Sequence, residues 1–215
     1  GRSRNGAEAT TAVWRVAVPN DRMTRIPIAY GDRLLKKQWL DVTKELLSLP
    51  TAAFREDDVA AWIEDFARTH GLNLTRDKWG NMLVRYRGGK AESRPLVMCA
   101  HMDHPGFVID KMGRDNTAHA TWWGGVPLAL FPGAKVRCHS EGRWVKGVIT
   151  HAPKREKRGP KAIRIRFARP VEPGSAGTWD FPDPRVRGSR LYARGHDDVA
   201  GVAAIVCVLD EAIRR

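Results

Sequence analysis

The order of apolar patterns predicts an α/β protein whose helices and sheet are interrupted by a small β-barrel or sandwich. Three observations carry this. Three- and four-residue spacing of apolar side chains runs through residues 34–66 and again through 199–213. A continuous apolar run, Pro95-Leu96-Val97-Met98-Cys99-Ala100, reads as a strand buried on both faces, as in the middle of an α/β sheet. Residues 106–187 hold only short β-like runs separated by Gly, Pro and charge.

Taken in order, residues 1–33 are rich in Gly, Arg, Thr and Ala with little periodicity, and read as a flexible basic extension. Leu35, Trp39, Val42, Leu46 and Leu49 then make one helical face, which Pro50 closes. Arg55, Glu56, Asp57 and Asp58 follow, placing acidic residues in the first turn of a second helix, where the dipole favours them. Val59, Trp62, Ile63 and Phe66 are its apolar stripe, and Gly71 suits a left-handed cap after it. Leu72–Thr75 and Asn81–Tyr86 read as the two arms of a hairpin around Trp79-Gly80. In the β-textured stretch the expected strands are Phe107–Ile109, Ala134–Cys138, Trp144–Thr150 and Ala162–Phe167, with one more at Arg190–Ala193. Asp197-Asp198 precedes a last helix whose face is Val202, Ile205, Val206, Leu209 and Ile213.

Bulk composition narrows the function classes. With 42% hydrophobic residues and eight Trp among 215, the chain is globular rather than disordered. No apolar window approaches the roughly 18 residues of a membrane helix, and no signal-peptide core is present, so the expectation is a soluble, cytoplasmic protein without a membrane partner. Cys99, Cys138 and Cys207 form neither a disulfide framework nor a CxxC pair; Cys99 and Cys207 sit in apolar runs and read as buried small hydrophobes. The net charge of +13 gathers at the N-terminus and in residues 135–169, including Lys154, Arg155, Lys157 and Arg158. No nucleic-acid module accompanies these residues, so they read as a solvated basic loop rather than a nucleic-acid site.

Two short stretches carry chemistry: His101-Met102-Asp103-His104-Pro105-Gly106-Phe107 and Gly195-His196-Asp197-Asp198-Val199-Ala200-Gly201. Each sets His and Asp where a core element meets a loop. In open α/β sheets, sites form at the carboxyl ends of strands. An imidazole ligates a borderline cation such as zinc, and a carboxylate two residues on can accept its other ring N–H. Asp197 has two carboxylate oxygens with which to bridge two cations. Taken singly each motif is weak, because a DD pair before a helix is often only a cap.

AHMDHPGF resembles the AHxDEIGF segment of the tetrahedral aminopeptidases, a family of dinuclear metallopeptidases that includes glutamyl and leucyl aminopeptidases. KELLSLPTAAFREDDVAAWIEDF resembles that family's opening helix pair, DKWGNMLVRYRGG its D-x-x-G-N-L hairpin, WWGGVPLALFPGAKVR the entry to its inserted β-domain, and RGHDDVAGVAAIVCVL its A-x-DDRxG helix start. The likeness covers Leu34–Arg215 in order and spacing. It implies a mixed-sheet zinc-peptidase catalytic domain, residues 34–105 and 188–215, interrupted by a small barrel-like oligomerisation domain at 106–187. It implies two Zn2+ per complete site (Co2+ or Mn2+ as substitutes), peptide substrates cut at the N-terminal bond, and a homo-oligomer. His101 becomes a zinc ligand, Asp103 the catalytic-site carboxylate that orients it, and Asp197 the carboxylate bridging both metals. Asp198 becomes a structural partner or cap, with an exchange of roles with Asp197 left open.

This chain departs from the pattern in several places. His104-Pro105 replaces Glu-Ile, His196 stands where a small or apolar residue is common, and Val199-Ala200 replaces the usual Arg and its neighbour. His104 reads first as a loop histidine facing solvent, and second as an added ligand or substrate contact. The family's Glu-Glu pair, general base and metal ligand, has not appeared by Arg215. The expectation is therefore an incomplete N-terminal portion of a metallo-aminopeptidase, or else a non-catalytic scaffold derived from one.

Overall fold

The computed structural model describes residues 11–17, 32–88, 94–153, 159 and 161–215. They fall into two units: the first holds residues up to Ser48, Ala60–Met102 and Gly195–Arg215, the second Leu49–Val59 and Asp103–Arg194.

In the first unit, α1 (Asp32–Ser48), α2 (Asp57–Thr69) and α3 (Val199–Arg214) form where the apolar spacing places them. Leu46 and Leu47 of α1, Ile63 and Ala67 of α2, and Val202, Ile205, Val206 and Leu209 of α3 are buried. Polar ties set the helices against one another. Trp62 Nε1 donates to Glu45 Oε1 at 2.8 Å, and Arg214 Nη1 to Gln38 Oε1 at 2.9 Å. The end of α2 is a Schellman cap: Leu72 N–H reaches Ala67 O at 2.8 Å and Gly71 N–H reaches Arg68 O at 3.2 Å. Gly71 sits at φ +62°, which costs a glycine nothing.

The hairpin is present as β2 (Asn73–Arg76) and β3 (Met82–Arg87), antiparallel. Its turn is held by the Asp77 carboxylate, which accepts from the Asn81 side chain and from the Trp79 and Asn81 backbone N–H groups. Those bonds, the Asn81 side chain first, hold the Asp77 carboxyl below its ordinary range.

Two expectations fail in this sheet. Thr11–Ala17, inside the stretch read as a flexible extension, is strand β1; it pairs parallel to β3 and antiparallel to β4 (Pro95–His101), giving the order β2-β3-β1-β4. Its Thr, Val and Trp content suits a strand, and the arginine around it obscured the pattern. The other residues of 1–31 lie outside those described. The apolar run is a strand, β4, but not one buried on both faces: Leu96 is 45% and Val97 52% exposed. Among the described residues β4 is the last strand of its sheet, and α3 packs against it. Cys99, on this strand, is likewise exposed against the expectation of burial, whereas Cys207 is buried as expected and Cys138 is buried too.

The second unit is built on a closed six-stranded barrel, ordered β10-β5-β6-β9-β8-β7. Its strands are β5 (Gly106–Met112), β6 (Thr117–Trp123), β7 (Lys135–Ser140), β8 (Arg143–His151), β9 (Lys161–Phe167) and β10 (Ala176–Trp179). Period-two alternation turns Val145 and Ile149 of β8, and Ile163, Ile165 and Phe167 of β9, into the interior. Trp122 fills the middle: its ring centroid lies 4.4 Å from that of Trp179, 5.1 Å from Phe131 and 5.9 Å from Phe107. Burying side chains of this size, at ~1.5–3 kcal/mol each, is the main force holding so small a barrel together. A short ribbon, β11 (Arg185–Arg187) and β12 (Arg190–Tyr192), leads out of the unit. Lys154, Arg155, Lys157 and Arg158 of the basic loop lie outside the described residues. No helix among the described residues is long and apolar enough to cross a membrane.

Candidate metal centre

His101 is the last residue of β4, and Asp197 sits in the turn that leads into α3. Although they stand 96 positions apart, His101 Nε2 lies 3.1 Å from Asp197 Oδ1. The imidazole is half-buried, while the carboxylate is almost fully open to water. A carboxylate only accepts, so the contact as it stands is an Nε2–H donated to Oδ1. The same nitrogen offers its lone pair to a cation once that proton is gone. Zinc–nitrogen and zinc–oxygen bonds of ~2.0–2.2 Å place two ligands of one tetrahedral ion about 3.4 Å apart. The observed separation is close to that, so the pair fits a shared cation with little rearrangement.

Asp198 occupies the N-cap position of α3, but its side chain makes no cap hydrogen bond. The cap role expected for it is thus not filled through its carboxylate. That carboxylate lies over Gly201 instead, where any Cβ would collide with its Oδ1. The peptide bond between Asp197 and Asp198 is cis. His196 is exposed.

Asp103 and His104 belong to the second unit. His104 does not face solvent freely. Its Nδ1 donates to the Pro105 carbonyl at 2.9 Å and lies 3.3 Å from Thr178 Oγ1, on a fully buried residue of β10. Asp103 lies in the electrostatic field of Glu56, a buried carboxylate just before α2. Glu56 Oε1 accepts the Phe54 N–H at 2.8 Å. Burial raises the Glu56 pKa above 4.5; the backbone hydrogen bonds offset part of this, and Asp103 adds to the rise. In the sequence Glu56 is one of three consecutive acids, and nothing there distinguishes it from Asp57 and Asp58 in the first turn of α2. Among the described residues, no three or more His, Cys, Asp or Glu side chains gather closely enough to hold an ion.

With the fold and this pair in view, comparison places the chain in a peptidase family. Residues 80–215 match the M42 glutamyl aminopeptidase family, and the chain belongs to it. A curated relative, the cytosol non-specific dipeptidase of Escherichia coli (strain K12), is 27% identical over 108 residues, 49% of this chain and 19% of that one. An aminopeptidase from the archaeon Desulfurococcus kamchatkensis has the same fold over 82% of this chain and 52% of its own, with TM-score 0.63 and 23% identity. The Pyrococcus horikoshii TET1 peptidase, described as assembling into a tetrahedron or a large octahedral shell, matches over 82% of this chain and 57% of its own, with TM-score 0.60 and 20% identity. The chain thus spans little more than half the length of these solved structures and a fifth of the curated relative.

Proposed function

We propose that this chain contributes the first part of the metal centre of an aminopeptidase that hydrolyses N-terminal peptide bonds. The observation that carries the reading is the meeting of His101 and Asp197 at 3.1 Å across 96 residues, in a member of a peptidase family. His101 holds one ion through Nε2. Asp197, with two oxygens and an open face, serves that ion and a second. Asp103 is the positioning carboxylate for His101, and Asp198 backs the turn that carries Asp197. A catalytic zinc keeps three protein ligands and a water, so these residues are part of a set whose remaining members lie outside the described residues. When bound, the ions supply a water acidic enough to ionise near neutral pH and a Lewis acid for the scissile carbonyl. Zinc is the expected metal, with cobalt or manganese as substitutes.

The catalytic domain on this reading is residues 34–105 and 188–215, and the barrel at 106–187 is an insertion that serves assembly into a homo-oligomer. The closed barrel and the shells formed by the P. horikoshii relative support that part.

The test uses the full-length protein. Zinc affinity is measured by competition with a chromogenic chelator, and turnover on aminoacyl-p-nitroanilides. His101→Ala and Asp197→Asn are expected to weaken zinc by more than ~100-fold and to abolish turnover. Zinc affinity and turnover near the parent's in both variants would overturn the assignment. A parent that binds no zinc and cleaves nothing would favour a scaffold instead.

A further inference from the structure

The first unit holds a cavity of about 510 Å3, a size that suits a small organic ligand. It is lined by His70 just past α2, Asn73 of β2, Arg85, Tyr86 and Arg87 of β3, and Ile213 of α3. The strand registers set it far from the metal pair. Ala17 of β1 lies opposite both Arg87 and Pro95, whereas Thr11 of the same strand lies opposite His101. Arg87 therefore stands level with the start of β4, and His101 is its end.

Two arginines of this cavity lack a counter-charge among the described residues. Arg85 faces Asn73 across the β2–β3 ladder, and Arg87, two residues on, projects from the same face. The acids of the neighbouring helices are engaged elsewhere. Glu64 pairs with Arg76 at 3.5 Å, Asp65 with Arg68, and Asp210 with Arg214. Asp210 also lies 3.7 Å from His70 Nε2, while His70 Nδ1 donates to the Phe66 carbonyl at 2.9 Å. Arg85 Nε is sealed from water and has no acceptor among the described residues. Covering a guanidinium donor without a partner is costly. Its terminal nitrogens are the part a ligand reaches, and a strong bond there offsets that cost.

We infer that this cavity binds a small phosphate monoester, with the phosphate between Arg85 and Arg87 and the organic group against Tyr86 and Ile213. Two unpaired cations select a doubly charged anion. A carboxylate would neutralise one of them, whereas a phosphate monoester carries about −1.5 to −2 at pH 7. The terminal nitrogens of a guanidinium form a fork that takes two phosphate oxygens, and Asn73 adds an uncharged amide donor beside Arg85. The Tyr86 ring lies across Gly88, where a Cβ would stand only 2.5 Å from the ring, so the glycine lets the ring lie flat as a wall. The site shares no residue with the metal pair.

The experiment is calorimetric titration of the full-length protein with phenyl phosphate at fixed ionic strength. Benzoate, with the same ring and a single charge, is the control. Phenyl phosphate is expected to bind saturably and at least ~10-fold more tightly than benzoate. Arg85→Gln weakens it at least ~10-fold, and Arg87→Gln, at an exposed position, about threefold or more. Zinc affinity of Arg87→Gln, read on the same samples, stays at the parent's value. Phenyl phosphate binding no tighter than that of benzoate would overturn the site. So would binding that survives both substitutions, which then belongs to the metal centre. If Arg85→Gln fails to fold, Arg87→Gln decides alone: undiminished affinity there overturns the pairing of the two arginines.

Discussion

Replacing Gly201 with alanine sets two effects of similar size against each other. Within a helix, alanine is favoured over glycine by about 1 kcal/mol. At this position a Cβ would overlap Asp198 Oδ1 and lie 2.8 Å from Cγ and 3.1 Å from Oδ2. Either the Asp198 side chain turns away or the start of α3 shifts, and crowding of this kind costs ~1–3 kcal/mol. The net is roughly 0–2 kcal/mol of destabilisation, a fall in Tm of at most about 8 °C for a chain of this size. Zinc affinity separates the effects better than the melt does. Asp198 is bonded directly to Asp197, so a displaced Asp198 disturbs the carboxylate that faces His101. Gly201→Ala in the full-length protein is expected to lower zinc affinity at least ~10-fold while the fold survives. Thermal melting and chelator competition on the same preparation give both numbers. A Tm raised by ~2–4 °C with zinc affinity unchanged would refute the reasoning, since the helix preference would then act unopposed and the crowding at Asp198 would matter to nothing.

Other outcomes follow from the same packing. Trp122→Ala empties the centre of the barrel and is expected to cost ~3–5 kcal/mol in urea unfolding, against under 1 kcal/mol for the same change at exposed Trp79. Glu56 gives a pH effect of known sign. Its folded pKa is raised above 4.5, so the folded state binds more protons there than the unfolded one, and stability falls as pH rises from about 4.5 through the raised value. Glu56→Gln keeps an acceptor for the Phe54 N–H and removes the titration, so urea midpoints between pH 4 and 7 should lose that part of their slope. For the cysteines, burial pushes the Cys138 thiol up to about 12 and Cys207 to about 11, whereas Cys99 is exposed. Iodoacetamide at pH 8 should therefore add one label to the native chain, at Cys99, and three after denaturation, by intact mass.

The helices were legible because their signal is local: each apolar stripe repeats within the element that it buries. Even the cap at Gly71 could be read. The barrel's texture was legible too, but not all of its strands. In β6 the inward positions are Ala118, Ala120 and Trp122, and small residues hide a period of two. In β10, Gly177 stands opposite the Phe107 ring, so the strand lacks the bulky alternation that marks one. The run Leu96–Ala100 misled in the other direction. Apolar content tells that a segment prefers to be covered, not what covers it, and β4 has a neighbour along one edge alone among the described residues. The pair His101–Asp197 is a different kind of fact. Spacing could nominate each residue, but a contact across 96 positions comes from the sheet and helix that carry them. The burial of Arg137 and Arg194 gave no advance sign, because arginines in a chain of net charge +13 read as surface.

The four-stranded sheet and the barrel also differ in how they meet other chains. A closed barrel presents no open row of N–H and C=O groups, so the second unit resists strand-to-strand association even when crowded. In the first unit β4 ends its sheet among the described residues, with Leu96 and Val97 turned to water. Overexpressed on its own, the chain should therefore aggregate from the first unit, not from the barrel. A lysine at Val97 would be the first substitution to try for keeping it in solution, and the barrel should need no protection of that kind.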